Sequence, residues 1–288
     1  MLPSWDPDRL AQKIPFNLAL VGGRRMGKSS AVSSLLRTMK SKFDLIIAFI
    51  GSASCNPVLQ EQMSQNWDDR FFFSKWEDNL IETLLRQQEE LKLRGTTRNI
   101  LILMDDVVLT SDAEEQLAHM AMRGRHFNIS LAMCSVSYTS LPKRARRSLD
   151  VLLVFSLPMQ SDMKILTWEY TQKARMARFQ LAHLQDYECL VLETLQKRQK
   201  LFVWKADYVS LSDLRKTRES QGSPERGLSK TLVSSETPSE HHTEPRQERN
   251  VGVKDRIQSL ERPPASSFEK RPGGRQPRGR GSVGANRQ

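Results

Sequence analysis

Residues 21–30 read VGGRRMGKSS. Gly22 is followed by four residues, Gly23, Arg24, Arg25 and Met26, and then by Gly27, Lys28 and Ser29, which is the spacing of a phosphate-binding loop. Glycines let such a backbone curl until several N–H groups face one anion, and the start of the following helix adds partial positive charge. The flanks fit this geometry. Leu18, Ala19, Leu20 and Val21 precede the loop as an apolar strand, and residues 29–40, SSAVSSLLRTMK, continue as a helix with Val32, Leu35, Leu36 and Met39 on its buried side. The stretch therefore predicts an ATP site lined by residues 22–30, Ser30 included. Lys28 is expected to bridge the β and γ phosphates and Ser29 to hold Mg²⁺.

A second motif, ILILMDD at residues 100–106, is an apolar strand ending in two acids. Open parallel sheets bind ligands at the C-terminal ends of their strands, so Asp105 is expected to hold Mg²⁺ through water. Asp106 is expected to polarise or orient the attacking water. Two further strand candidates, near Ile46 and near Phe72, lie between the motifs. At least one extra strand should thus separate them in the sheet, which favours an additional-strand ATPase over a simple nucleotide kinase. No NKxD-type guanine reader follows the acid strand, which argues against a GTPase.

The segments PFNLALVG, DLIIAFIG, NILILMDD, NISLAMCS and DVLLVFS read as short buried strands. Residues 76–93 read as a helix with Trp76, Leu80, Ile81, Leu84, Leu85 and Leu91 on one face. Strands separated by helices predict an α/β fold with a mainly parallel sheet between helices. From Asp207–Asp213 onward the sequence becomes rich in Ser, Pro, Gly, Glu and Arg, so we divide the chain into a folded domain, residues 1–208, and a disordered basic tail, residues 209–288.

The 288 residues carry a net charge of +11, which suits a polyanionic partner. Cys55, Cys134 and Cys189 show no CxxC spacing, excluding a sequence-evident zinc site or disulfide framework. The start of the sequence lacks a continuous apolar stretch, and no run is long enough to span a bilayer. A chain neither secreted nor transmembrane is expected.

Residues 123–155, RGRHFNISLAMCSVSYTSLPKRARRSLDVLLVF, contain an Arg-Gly-Arg-His turn, an apolar strand ending in polar residues, a Leu-Pro-Lys step with a following Arg, and a further strand. Residues 189–206, CLVLETLQKRQKLFVWKA, read as a closing hairpin with a Lys-Ala ending. Across residues 14–206 the chain resembles the poxvirus-type genome-packaging ATPases of the FtsK/HerA superfamily, found in large DNA viruses, virophages and Polinton-like elements. The resemblance implies a RecA-like P-loop NTPase with a C-terminal hairpin. It implies assembly into a homo-oligomeric ring that threads double-stranded DNA into a capsid as ATP is hydrolysed. A capsid protein is an implied partner, and the host-cell cytoplasm or nucleus, at sites of virion assembly, is the implied place of work. It also implies that Arg125, or its neighbour Arg123, is an arginine finger reaching the ATP of the adjacent subunit, and that Arg146 acts at the subunit contact.

One position departs from the pattern. The resemblance places a phosphate-sensing glutamine after the fourth core strand, where this chain has Val136, flanked by Ser135 and Ser137. Either serine could take its place. The histidines offer no metal-ligand spacing, and Phe71, Phe72, Phe73, Trp67 and Trp76 are expected in the core. Two other readings stay open: a nucleotide-switched DNA- or capsid-binding protein without motor activity, and a cellular or plasmid DNA pump of the same superfamily.

Overall fold

The computed structural model describes residues 2–39, 41–51, 57–66, 71–170, 173–194, 199–208 and 210–220. Cys55, Trp67, His241, His242 and the basic stretch 270–287 lie outside the described residues. Among those described, eight strands form one sheet. They are β1 (Asn17–Val21), β2 (Leu45–Ile50), β3 (Phe72–Phe73), β4 (Ile100–Asp105), β5 (Ile129–Ser135), β6 (Val151–Val154), β7 (Glu188–Glu193) and β8 (Lys200–Lys205). Their order across the sheet is β3-β2-β4-β5-β1-β6-β7-β8. All pairings from β3 to β6 are parallel, and β6–β7 and β7–β8 are antiparallel. This is an α/β fold with a mainly parallel sheet and a closing C-terminal hairpin.

The helices are α1 (Asp8–Ala11), α2 (Lys28–Thr38), α3 (Pro57–Asn66), α4 (Asp78–Leu93), α5 (Ser111–Arg123), α6 (Lys143–Arg146), α7 (Gln160–Tyr170), α8 (Ala174–Ala182) and α9 (Leu211–Ser220). Helices on both faces explain why β1, β2 and β6 are buried along their whole length and read as unbroken apolar runs. The polar exception, Asn17, is satisfied. Its backbone N–H donates to Asp150 Oδ2 at 2.8 Å, and its Nδ2 donates to the carbonyls of Ala121 at 2.6 Å and Ser148 at 2.9 Å. One side chain at the start of the central strand thereby ties down the end of α5 and the entry to β6.

An extra strand does separate the loop-bearing β1 from the acid-bearing β4, but it is β5. The segments near Ile46 and Phe72, which the sequence reading put forward for that place, became β2 and β3 on the far side of β4. Chain order alone cannot fix spatial order, because right-handed crossovers allow a later strand to return between earlier ones.

Two boundaries also differ from expectation. The helix α4 starts at Asp78, so Trp76 is not on its face. Its ring instead lies 4.9 Å from that of Phe49, and its indole N–H donates to Gln116 Oε1 at 3.1 Å. Leu80, Ile81 and Leu84 are buried, whereas Leu85 and Leu91 are only partly so. At the other end, α9 occupies residues assigned by composition to the tail. Ser210 Oγ accepts the N–H of Asp213 at 3.1 Å, which caps the helix, and Leu214 is buried; α9 packs against α3.

The hairpin edge is covered by the first residues. Trp5 N–H donates to Val203 O at 2.9 Å, Val203 N–H donates to Pro3 O at 3.0 Å, and the Trp5 ring meets Trp204 edge-on at 5.5 Å. Backbone groups that would otherwise stand open on β8 are thus paired.

Candidate functional site

β1 runs between β5 and β6, with Leu20 in register with Cys134 and Val21 with Ser135. Beyond Val21 the chain stays stitched to its neighbours. Gly22 N–H donates to Ser135 O at 3.2 Å and Gly23 N–H to Ser156 O at 2.9 Å. A Cβ at Gly22 would stand 2.5 Å from Phe155 Cβ, so only glycine fits. Gly27 caps α2 with φ 101°, the left-handed region that glycine enters without steric cost. The first bond inside α2 runs from Ala31 N–H to Gly27 O at 2.9 Å. By helix geometry the N–H groups of Lys28, Ser29 and Ser30 therefore face out of the helix end. Lys28 Nζ donates to the carbonyls of Gly22 at 2.7 Å and Gly23 at 2.8 Å. Burial lowers the Lys28 pKa from its ordinary value, while the charges of Asp105 and Asp106 pull it back up. Arg24, Arg25, Met26 and Ser29 are exposed around the loop.

Asp105 is the last residue of β4 and is in register with Cys134, the same residue that faces Leu20 from the other side. The acid and the base of the loop thus sit at the same height on one sheet edge, two strand spacings or about 10 Å apart laterally. Asp105 is partly buried and Asp106 exposed. The Asp106 backbone turns at φ 53°. Gly51, directly after β2, holds that turn: its N–H donates to Asp105 O at 3.0 Å, and a Cβ there would lie 2.1 Å from Asp106 O. The sequence reading missed Gly51, although its place at the end of an apolar run was a usable signal. Residues 22–30, Asp105 and Asp106 are brought to one edge.

Next to the loop, the end of β5 and the turn after it carry the hydroxyls of Ser135, Ser137 and Thr139. Ser135 Oγ donates to Ser137 O at 2.8 Å, Ser137 Oγ and Thr139 Oγ1 are 2.9 Å apart, and Thr139 Oγ1 donates to Asp162 Oδ1 at 2.8 Å. Asp162 is 1% exposed, and its Oδ2 has no hydrogen-bond partner among the described residues. Val136 is exposed and apolar. Thr139 and Asp162 were invisible to sequence reading, because their link spans a helix and a strand.

Arg146, for which the resemblance implied a role at a subunit contact, is turned inward within its own chain. It is 8% exposed, with its guanidinium 4.8 Å over the Tyr138 ring and 3.8 Å from Glu169, which also accepts the Tyr138 hydroxyl at 2.9 Å. It braces the segment after β5 from inside the chain.

Arg123 ends α5, and Arg125 lies in the 3-10 turn Gly124–Phe127 before β5. Both are exposed. Arg123 Nη1 is 3.2 Å from His119 Nε2, and Arg125 is near enough to Asp150 for its charge to oppose the burial that raises that carboxyl. They occupy the N-terminal edge of the sheet. The length of β5, about 20 Å, separates them from the loop of their own chain.

Residues 4–184 match the family model described as Poxvirus A32 protein. The chain belongs to the poxvirus A32 protein family. Among curated relatives it is similar to the DNA packaging protein OPG160 of Variola virus, with 23% identity over 161 residues, 54% of this chain and 58% of that protein. The chain thus spans somewhat more than half the length of the curated relative it matches. Among solved structures, this A32-family chain is similar to B204, the DNA-packaging ATPase from Sulfolobus turreted icosahedral virus, at 15% identity and a TM-score of 0.46, covering 69% of this chain and 100% of that one. It is also similar to EssC (ATPases 2 and 3) from Geobacillus thermodenitrificans, at 15% identity and a TM-score of 0.49, covering 72% and 43%.

The donor set at this A32-family edge is chemically consistent with a triphosphate and a hard divalent cation. The helix end supplies outward N–H groups, Lys28 supplies positive charge, and the oxygen ligands such a cation takes are present in the Ser29 hydroxyl and the Asp105 carboxylate. Among the described residues no group of three His, Cys, Asp or Glu side chains could hold a metal by itself, and no helix is long and apolar enough to cross a membrane.

Proposed function

We propose that this chain hydrolyses ATP to drive double-stranded DNA into a viral capsid. The observation that carries the reading is the shared edge: Asp105 and the root of the phosphate loop face the same residue, Cys134, from opposite sides. A curated relative named a DNA packaging protein supports the process. In this reading residues 22–30 cradle the phosphates. Lys28 exchanges the Gly22 and Gly23 carbonyls for the β and γ phosphates, a partner of opposite charge. Ser29 and, through water, Asp105 would hold Mg²⁺, and the bound ion would neutralise charge developing on the phosphates. Asp106 orients the attacking water. The hydroxyls of Ser137 and Thr139, backed by Asp162, stand in for the sensor glutamine that Val136 replaces. Arg125 or Arg123 reaches the site of an adjacent copy in a ring, because neither can reach its own. A capsid protein is the second partner, and the host-cell cytoplasm or nucleus at sites of virion assembly is the setting. The tail beyond the folded domain adds loose contacts to DNA through its basic residues.

Lys28→Ala should abolish ATP turnover while leaving the circular-dichroism melt unchanged; turnover that survives rejects this site. Adding duplex DNA to the native protein should raise the ATPase rate. A nucleotide-switched binding protein is the second reading, favoured by the exposed valine at the glutamine position. DNA binding without any stimulation of turnover would select it.

A further inference from the structure

Tyr187 lies against the phosphate loop on the side away from the acids, and Tyr208 lies against Tyr187. Tyr187, just before β7, adopts φ 62°, a left-handed conformation that a bulky side chain rarely takes and that strains the backbone. Its carbonyl accepts the N–H of Ala206 at 3.0 Å, which holds the turn against the end of β8. The result is close packing on the last loop glycine: a Cβ at Gly27 would lie 3.1 Å from Tyr187 Cδ1 and 3.2 Å from its Cα. Tyr208 meets the Tyr187 ring at 5.8 Å and 62°. Neither ring is buried, Tyr187 being 37% and Tyr208 66% exposed. Core packing would hide such rings, so an exposed, edge-to-face pair with Tyr187 on strained backbone needs another explanation.

Sheet order supplies it. The acids stand two strands from the loop on one side, across β5, and Tyr187 stands two strands away on the other, across β6. A phosphate chain whose γ end faces Asp105 and Asp106 therefore directs its nucleoside end toward β6 and β7. We propose that Tyr187 and Tyr208 form the stacking platform for the base of the bound nucleotide, an inference that rests on the phosphate-loop reading above. A π face recognises any purine by stacking and carries no hydrogen-bonding code, so the platform would provide affinity for the nucleoside part with little choice among bases.

The test compares a ligand that has a base with one that has none. Titration calorimetry on the full chain would measure ATP and inorganic tripolyphosphate, each with Mg²⁺, against wild type, Tyr187→Phe, Tyr187→Ala and Tyr208→Ala, with a thermal melt for each variant. The platform predicts that both alanine variants bind ATP roughly tenfold or more weakly. They should bind tripolyphosphate as wild type does, and Tyr187→Phe should keep both affinities. Equal losses for the two ligands would overturn the proposal and make Tyr187 a prop for the loop. Unchanged ATP affinity in both alanine variants would overturn it as well, by placing the base elsewhere. A wild-type chain that binds neither ligand would reject the phosphate loop itself, a failure distinct from that of the platform. Tyr208, being mostly exposed, keeps the test decisive if Tyr187→Ala does not fold.

Discussion

A methyl group at Gly51 would stand 2.1 Å from the carbonyl oxygen of Asp106, well inside van der Waals contact. Gly51→Ala must therefore push the acid-bearing turn away from β2. Overpacking of this kind costs about 1–3 kcal/mol, which should lower the melting midpoint by roughly 2–12 °C. Turnover should fall further than ATP affinity, because the acids move while the loop on β1 does not. Calorimetric melting with steady-state kinetics on the same variant checks both. The contrast between Gly51 and Gly22 marks what residues reveal by themselves. Gly22, Gly27 and Lys28 are legible because their job is local, set within one turn between a strand and its helix. Gly51, Thr139 and Asp162 act across elements, and no spacing along the chain records that. The burial of Arg146 was hidden for the same reason: Lys143, Arg144 and Arg147 around it in sequence are basic and exposed, while its neighbours in space, Tyr138 and Glu169, cover it.

At the scale of elements, each helix that delivers a site residue depends on how it starts. Thr110 caps α5 by accepting the Ala113 N–H at 3.3 Å, and Asp112 and Glu114 favour the same end through the helix dipole. Thr110→Ala should destabilise the chain by about 1 kcal/mol, read as a shift of the urea midpoint at unchanged slope. The segments that became strands were readable because a two-sided cover forces apolar runs, and the hairpin because its pattern repeats across a break. The position of β5 was not. An extra strand was expected between loop and acids, yet which segment fills that place depends on crossover paths, which are a property of the packed sheet. The start of α4 was misjudged because Trp76 continues the apolar period that the helix itself only begins after Glu77.

The sheet at the centre of the molecule has two unlike edges. The C-terminal edge of the sheet carries the loop and the acids, and the N-terminal edge carries Arg123 and Arg125, about 20 Å away. If Arg125 completes a neighbour's site, Arg125→Ala should reduce turnover by about a thousandfold or more while sparing ATP affinity. Mixing it with Lys28→Ala, itself inactive, should restore measurable turnover, since an intact loop on one copy then meets an intact arginine on the next. A mixture as inactive as its components would show that the arginine does not work across a contact. The separation of these two ends also constrains symmetry. A two-fold pair could join both ends reciprocally only through one interface spanning the roughly 20 Å between them, whereas a heterologous contact joins one end to the next copy, and a series of such contacts is satisfied at both extremes only when it closes. An isolated chain would then own two halves of a reaction centre and no complete one, and its specific activity should climb with dilution reversed, saturating once every copy has found a successor.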